Sequence, residues 1–416
     1  MKILLTSIGT RGDMEPFLAI GEMLRKKGHE VICLFPEQFR NLAEESDMRF
    51  ASLGTEFIEM LESDIGKLAL GGGGSQWKKI FAYIKLAKIQ AKNNKTLIRL
   101  QQEVINKENP DRIVHNGKAM YPVIWEVTNK DKTIFVSPVP NLHYVKGNSH
   151  LAFNSNYGAF FNKLTFKIAD WGLINTIMSS LKLLEISNIR KKQIKEVIKN
   201  HKVIYTISPQ LFPRPEYWKP NLKVLGYHER NKMVKWSPDA ELIEFLEKNP
   251  KTIFITFGSM TNPEPEKKTR IIMDILSDNR IPALINTASG GLVKPATYDK
   301  NLVYFVDRIP YDWVFPKMYG IVHHGGSGTT HMGLKSGCAT LIIPHIIDQF
   351  LWNKLINRVG AGPLGIKIGK ITRKQLEPLV LDLVNNKSYK EKAEEIGREM
   401  KREDYNEELC HEITQD

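Results

Sequence analysis

Short apolar runs bounded by turn residues recur along this chain and alternate with segments whose apolar positions return every three or four residues. Runs of the first kind occupy residues 2–8, 30–35, 111–115, 133–137 and 203–207, and then 252–257, 283–286, 302–306, 319–322 and 339–343. Their near-continuous hydrophobicity predicts short strands buried on both faces, as in parallel sheets. Between the first two runs, Phe17, Ile20 and Leu24 repeat at helical spacing and Gly28 supplies a stop, in a helix expected to carry Pro16 in its first turn. The chain therefore opens β-α-β, the start of a doubly wound sheet. Prolines at 209, 213, 215 and 220 follow the run at 203–207, which reads as the last strand of its series, and a fresh series starts at 252.

Two series in 416 residues predict two α/β domains, because a chain of this length exceeds one ordinary core. The expected division is 1–225, a connection over 226–250, a second domain over 251–385, and a charged helix over 386–416 with Ala393, Ile396 and Met400 on one face. That last helix reads either as a segment returning to the first domain or as a solvated, fraying end.

The candidate chemistry sits where strands end. The run at 319–322 stops at His323-His324-Gly325-Gly326-Ser327-Gly328-Thr329-Thr330, and residues 332–334 open a helix-like stretch. Glycines let the backbone approach a ligand, hydroxyls accompany the exposed N–H groups of a helix start, and a histidine adds a donor or a positive charge. Such a turn favours a phosphate or diphosphate. After the strand at 339–343, Asp348-Gln349 place a carboxylate beside an amide, a pair suited to neighbouring hydroxyls. Phosphate followed by polyol predicts a nucleotide sugar. Gly258-Ser259 ends another strand in a way that suits phosphate contact. In the first half, Asp13 reads either as a helix cap or as a reactive carboxylate. His115, Asn116 and the loop 138–143 lie beyond strand ends, where ligands of such sheets bind.

These motifs carry a resemblance. HHGGSGTT, the small residues of 333–339 and the DQ pair together resemble the donor signature of family 1 glycosyltransferases, in the form found in sterol glucosyltransferases and bacterial antibiotic glycosyltransferases. GTRGDMEP at 9–16, FGSM at 257–260 and VDRIPYDW at 306–313 are similar to further motifs of the same enzymes. The resemblance implies the GT-B fold, two doubly wound Rossmann-like domains facing a cleft, and an inverting transfer of a hexose from UDP-glucose to a hydroxyl of an apolar acceptor. It implies two catalytic residues, Asp13 as general base and His323 as a donor that stabilises the charge growing on the leaving diphosphate. Donor contacts would come from Ser259, Arg308, Ile309, His323, Gly325, Gly326, Ser327, Gly328, Thr329, Asp348 and Gln349, and acceptor contacts from Arg11, His115, Asn116, Pro140 and His143. Arg308 stands where plant members stack a tryptophan on the base, and a guanidinium can stack likewise. His331 stands where they carry a ribose-binding glutamate, and PVPNLH at 138–143 differs from the PWTRT-like segment of sterol enzymes. The chain contains no Asp-x-Asp pair, so transfer without metal or resident cofactor is expected. Two other functions share these features: a GT-B sugar-nucleotide epimerase, and a non-catalytic nucleotide-sugar or lipid-binding protein.

Composition changes this picture in three places. Apolar and charged fractions of 42% and 25% are those of a soluble globular protein. The net charge of +13 comes from lysines spread along helix-like segments, with local concentrations at 77–95 and 190–202 and without a nucleic-acid module, so solvated helix faces rank first, contact with an anionic membrane second and nucleic acid a distant third, and no nucleic-acid partner is expected. Three cysteines match neither a disulfide framework nor a zinc site, and neither a signal peptide nor an 18-residue apolar run is present. A cytoplasmic protein, peripheral at the inner face of the membrane, is the expectation. The aromatic-rich segment 151–184 reads equally as core-facing helix and as a wall for an apolar acceptor, and 71–75 as a native loop or an engineered linker.

Overall fold

The computed structural model describes residues 1–66, 76–153, 155–230, 236–258, 260, 262, 264–288 and 290–415. Residues 71–75 and Ser259 lie outside them, so the expectations attached to those positions receive no structural account. The chain forms two compact units; the first comprises Met1–Ile65, Ile84–Lys232 and Asp404–Asp416, and the second is built on Met233–Glu403.

In the first unit β1 (Lys2–Thr6), β2 (Glu30–Phe35), β3 (Arg49–Ser52), β4 (Arg112–His115), β5 (Thr133–Ser137), β6 (Lys202–Tyr205) and β7 (Leu222–Val224) form a parallel sheet in the order β3-β2-β1-β4-β5-β6-β7. Ile3 and Leu5 enter the core on one face of β1, and Leu4 enters the core on the other. That double burial is why the strand reads as an unbroken apolar run. The two outermost strands escaped sequence reading, and β7 displaces 203–207 as the last of the series. Both are short, and most of their residues are half-buried, so neither carries the apolar run of a central strand. Helix α1 (Arg11–Lys26) begins five residues before Pro16, which therefore lies in its second turn rather than its first. Helices α2 (Tyr121–Glu126), α3 (Ala159–Leu183) and α4 (Lys191–Asn200) pack on one another in the same unit.

In the second unit α5 (Ala240–Lys248) occupies much of the stretch expected to be a connection. Asp239 Oδ1 accepts from the Leu242 N–H at 2.7 Å, and Leu242 and Phe245 are buried in this unit's core. Strands β8 (Ile253–Thr256), β9 (Ala283–Asn286), β10 (Val303–Val306), β11 (Gly320–His323) and β12 (Ala339–Ile342) form a second parallel sheet, ordered β10-β9-β8-β11-β12. Helix α6 (Ser327–Lys335) follows β11 and α7 (Gln349–Arg358) follows β12.

The charged C-terminus divides. Helix α8 (Lys387–Arg402) buries Ala393, Ile396 and Met400 within the second unit, packed so closely on α6 that a Cβ at Gly397 would stand 2.6 Å from the Leu334 carbonyl oxygen. Helix α9 (Asn406–Thr414) belongs to the first unit. Its Leu409 and Ile413 are fully buried in the core that holds Phe17 and Leu24, and Lys223 Nζ reaches Glu412 at 2.7 Å. The fraying end is therefore a core helix. No helix among the described residues is long and apolar enough to cross a membrane.

Both sheets reverse direction of growth at one place, between β1 and β4 in the first and between β8 and β11 in the second. In open α/β sheets the loops leaving the carboxyl ends of such a strand pair diverge and leave a crevice for ligand.

Candidate functional site

At the first reversal, the β1 loop brings Ser7, Gly9, Thr10 and Asp13 to the carboxyl edge, and the β4 loop brings Asn116 and Lys118. Asp13 is the third residue of α1. Its Oδ2 accepts from the Thr10 N–H at 2.8 Å, and its Oδ1 accepts from Lys118 Nζ at 2.9 Å. Asp13 is thus a cap, as one reading held, yet its carboxylate stays partly exposed at the crevice edge and keeps lone pairs for a further proton or donor. Gly9 makes this arrangement possible: its φ is +149°, and a Cβ there would stand 2.1 Å from Asp13 Oδ2. Buried Asn116 ties the two loops. Its Nδ2 donates to Ser7 Oγ at 2.9 Å and to the Ile8 carbonyl at 2.8 Å, its Oδ1 accepts from the Lys118 N–H at 3.1 Å, and Ser7 Oγ donates to the Asp13 carbonyl at 2.9 Å. Lys118 is the residue that sequence reading missed. Its one signal was its place two residues after Asn116, beyond a strand end.

The remaining acceptor-side candidates scatter. Arg11 is exposed and donates to Glu15 at 2.9 Å, one turn along its own helix. His115 is 1% exposed and turns away from Asn116's partners: its Nε2 lies 3.3 Å from His201 Nε2, and burial pushes its pKa down to about 4. It is a core histidine of the α2 side, where Glu126 comes within 3.5 Å of His201 and burial pushes the Glu126 carboxyl up to about 8. Pro140 is buried. His143 packs on Tyr205 and Trp218, with Nδ1 2.6 Å from the Tyr205 hydroxyl and its pKa lowered by burial to about 4. Asn116 alone of this set joins Asp13. The aromatic-rich segment 151–184 splits: Phe166, Ile174, Ile177 and Leu181 of α3 are buried, while Phe160, Phe161 and Trp171 face outward.

At the second reversal, β11 ends at His323, paired in register with Thr256 of β8 and Ile342 of β12. The Gly325 N–H donates to His323 Nδ1 at 3.1 Å, which puts the ring proton on Nε2. Burial, with His324 adding a smaller contribution, holds the pKa of His323 well below its ordinary value. Its ring is therefore a neutral donor, and the positive charge allowed for in sequence is absent. That Nε2 is buried without a hydrogen-bond partner among the described residues, a state that costs free energy unless a ligand completes it. The His324 ring lies between two glycines. A Cβ at Gly258 would come within 2.9 Å of it, and one at Gly326 within 2.7 Å.

Gly325 adopts φ +94°, which lets the chain turn from β11 into α6, and α6 starts directly after Gly326. Ser327, Gly328 and Thr329 are therefore the first three residues of a helix, whose N–H groups have no intrahelical acceptor. Thr330 behaves otherwise than expected: its N–H and its hydroxyl both donate to the Gly326 carbonyl at 2.9 Å, so its hydroxyl is taken up by its own helix. His331 is wholly buried, donating from Nδ1 to the Ser327 carbonyl at 2.8 Å, with its ring edge-on to Trp352.

Asp348 is half-buried at the start of α7, whereas Gln349 is 5% exposed. Gln349 Oε1 accepts from the His345 N–H at 2.7 Å and the Ile346 N–H at 3.1 Å, so its carbonyl end braces the preceding turn. Arg308 is exposed after β10, and Ile309 is buried in the unit's core.

Known proteins match this arrangement in both halves. Residues 3–108 match the glycosyltransferase family 28 N-terminal domain, and residues 296–415 match the C-terminal domain of erythromycin biosynthesis protein CIII-like proteins. A sterol 3-beta-glucosyltransferase of Arabidopsis thaliana is 29% identical over 97% of this chain and 64% of its own length. One from Kluyveromyces lactis is 26% identical over 96% of this chain and 33% of its own. The chain thus spans just under two thirds of the plant relative and a third of the yeast one. Among solved structures, the glycosyltransferase of kitacinnamycin superposes with a TM-score of 0.71 at 15% identity, covering 99% of this chain and 98% of that one. The calicheamicin glycosyltransferase CalG4 does so with 0.68 at 13% identity, covering 99% and 97%. The chain therefore resembles a glycosyltransferase family 28 N-terminal domain over residues 3–108 and an erythromycin biosynthesis protein CIII-like C-terminal domain over residues 296–415, and it carries the GT-B fold of the solved glycosyltransferases.

Proposed function

We propose that this protein transfers a hexose from a nucleotide sugar, UDP-glucose, to a hydroxyl of an apolar small-molecule or lipid acceptor, with inversion at the anomeric carbon and without a metal ion. The observation that carries the reading is the second reversal point, where His323 Nε2–H, which has no hydrogen-bond partner among the described residues, and the start of α6 lie at one strand edge. These are neutral and dipolar donors suited to a diphosphate. In the reaction, the acceptor oxygen bonds to the anomeric carbon, its proton passes to Asp13, and the bond from that carbon to the diphosphate oxygen breaks with its electron pair going to the diphosphate. His323 and the N–H groups of Ser327, Gly328 and Thr329 stabilise the charge that develops there; losing one such donor costs on the order of 3 kcal/mol. Asp348 orients the sugar hydroxyls, and Gln349 keeps the loop before it in place. The Ile309 main chain and the Arg308 guanidinium hold the base. The relatives named as sterol 3-beta-glucosyltransferases support glucose and an apolar acceptor, and the charge of +13 supports peripheral contact with an anionic membrane.

Calorimetric titration with UDP, dTDP and UDP-glucose in excess EDTA tests the reading. UDP-glucose should bind, and His323→Ala should weaken binding at least tenfold. The anomer of the product, read by proton NMR, should be opposite to that of the donor. Absence of binding by all three nucleotides would overturn the donor assignment, and retention of configuration would overturn Asp13 as base.

A further inference from the structure

Helix α3 is built inside out along its first half. Asn162 and Thr165 face the protein, where Asn162 Oδ1 accepts from the Tyr157 N–H at 2.9 Å and Thr165 Oγ1 from the His150 N–H at 2.8 Å. Phe160, Leu164, Ile168 and Trp171 follow one another at spacings of four, four and three and face solvent, with exposures of 76%, 38%, 45% and 63%. Phe161 lies beside them at 58%. Such spacing places them along one stripe of a helix. Six of the eleven large apolar side chains exposed among the described residues fall within residues 157–171. Isolated exposed apolar residues are ordinary, but a contiguous aromatic stripe marks a surface that something covers.

The charges around the stripe identify its occupant. Residues 133–169 contain no aspartate or glutamate, and exposed Lys163 and Lys167 flank the stripe on α3 itself. Helix α4 packs against α3, with Lys191 Nζ 3.3 Å from Asn175 Oδ1, and presents Lys191, Lys192, Lys195 and Lys199 to solvent. The two helices carry seven lysines against two carboxylates, Asp170 and Glu196, a net of +5. Aromatic and aliphatic side chains on a surface helix, bordered by lysines, have the chemistry of an element that lies in the plane of a bilayer, with its rings among the acyl chains and its ammonium groups at anionic headgroups.

We propose that the outward face of α3, together with the lysines of α4, docks the protein on a bilayer rich in anionic lipid. This deepens the proposed reading of an apolar acceptor, since an enzyme held there meets lipid hydroxyls directly, but the docking rests on the surface alone and is measured without turnover.

The test is co-sedimentation of the full chain with vesicles of phosphatidylcholine containing 30% phosphatidylglycerol, compared with pure phosphatidylcholine. Wild type should bind the anionic vesicles at least tenfold more tightly than the neutral ones, and 0.5 M salt should remove most of that preference. Phe160→Ser/Trp171→Ser should lower binding at least tenfold, while Ile243→Ser, another exposed apolar position, should leave it unchanged. Changing Lys191, Lys192 and Lys195 together to Gln should lower binding to anionic vesicles without affecting neutral ones. Melting curves and nucleotide titration on the same variants separate loss of docking from loss of fold or of donor binding. The proposal is overturned if wild type ignores anionic vesicles or if the Phe160/Trp171 variant binds them as wild type does. It is also overturned if the same variant abolishes a dimer seen in analytical ultracentrifugation, because the stripe would then belong to a second copy.

Discussion

Replacing Asp13 by Asn separates its observed place in the cap of α1 from its proposed role as general base. Its structural role is small. The Asn carbonyl oxygen can take the Thr10 N–H in place of Oδ2, a capping contact worth about 1 kcal/mol when lost entirely. The pair with Lys118 is also lost, but the two side chains are 25% and 51% exposed, so water screens it and it contributes about 0–1 kcal/mol. Melting should therefore fall by no more than about 4 °C. The proposed chemical role is large, because Asn cannot accept the acceptor's proton. General-base assistance of about 10²- to 10⁴-fold corresponds to about 2.7–5.4 kcal/mol of activation free energy. The assay is the initial rate of UDP release from UDP-glucose in the presence of a sterol or other hydroxylated apolar acceptor, on protein whose melt has been recorded. A fall of a hundredfold or more with an intact melt is expected. A rate within threefold of wild type would refute the reasoning and leave Asp13 as a cap.

Gly9→Ala should reproduce much of that rate loss without touching the carboxylate itself, because the new Cβ would overlap Asp13 Oδ2 and push it out of place; comparison of initial rates decides this. His323 stays neutral as pH falls, since burial holds its pKa well below 6.5, so UDP affinity should show no gain of charge attraction between pH 8 and pH 6; affinity rising through pH 6.5 in wild type and not in His323→Ala would contradict it. His115 has its pKa lowered to about 4, so between about pH 6.5 and pH 4 the unfolded chain binds a proton that the folded one does not, and stability falls with falling pH. His115→Gln should flatten that acid slope at pH 5 by about 1.4 kcal/mol per pH unit in urea titrations. Leu409→Ala should cost about 2–5 kcal/mol in the unfolding transition of the first unit, because the side chain is fully buried there; an effect under 0.5 kcal/mol would mean that α9 only rests on that core.

Sequence by itself determined the central strands and the turns that follow them. A strand covered on both faces must be apolar throughout, so β1, β2, β5 and β9 stand out as unbroken runs, and the chain can turn from β11 into α6 only through residues such as Gly325 and Gly326. The positions of Asp13, His323 and the start of α6 followed from that local chemistry. Tertiary structure decided everything that depends on which strands are neighbours and which way a side chain turns. Lys118 meets Asp13 across 105 positions only because β4 pairs with β1, an order that no local pattern encodes. His115 and Asn116 are adjacent in sequence, yet one turns into the core and the other toward the crevice, since successive side chains at a strand end alternate in direction. The half-buried edge strands β3 and β7 carry too weak an apolar signal to be read, and the burial of α9 depends on the core it meets. The outward stripe of α3 was visible as a concentration of aromatic residues, but its direction was not: Asn162 and Thr165 took the inward positions because the loop before the helix needed their hydrogen bonds.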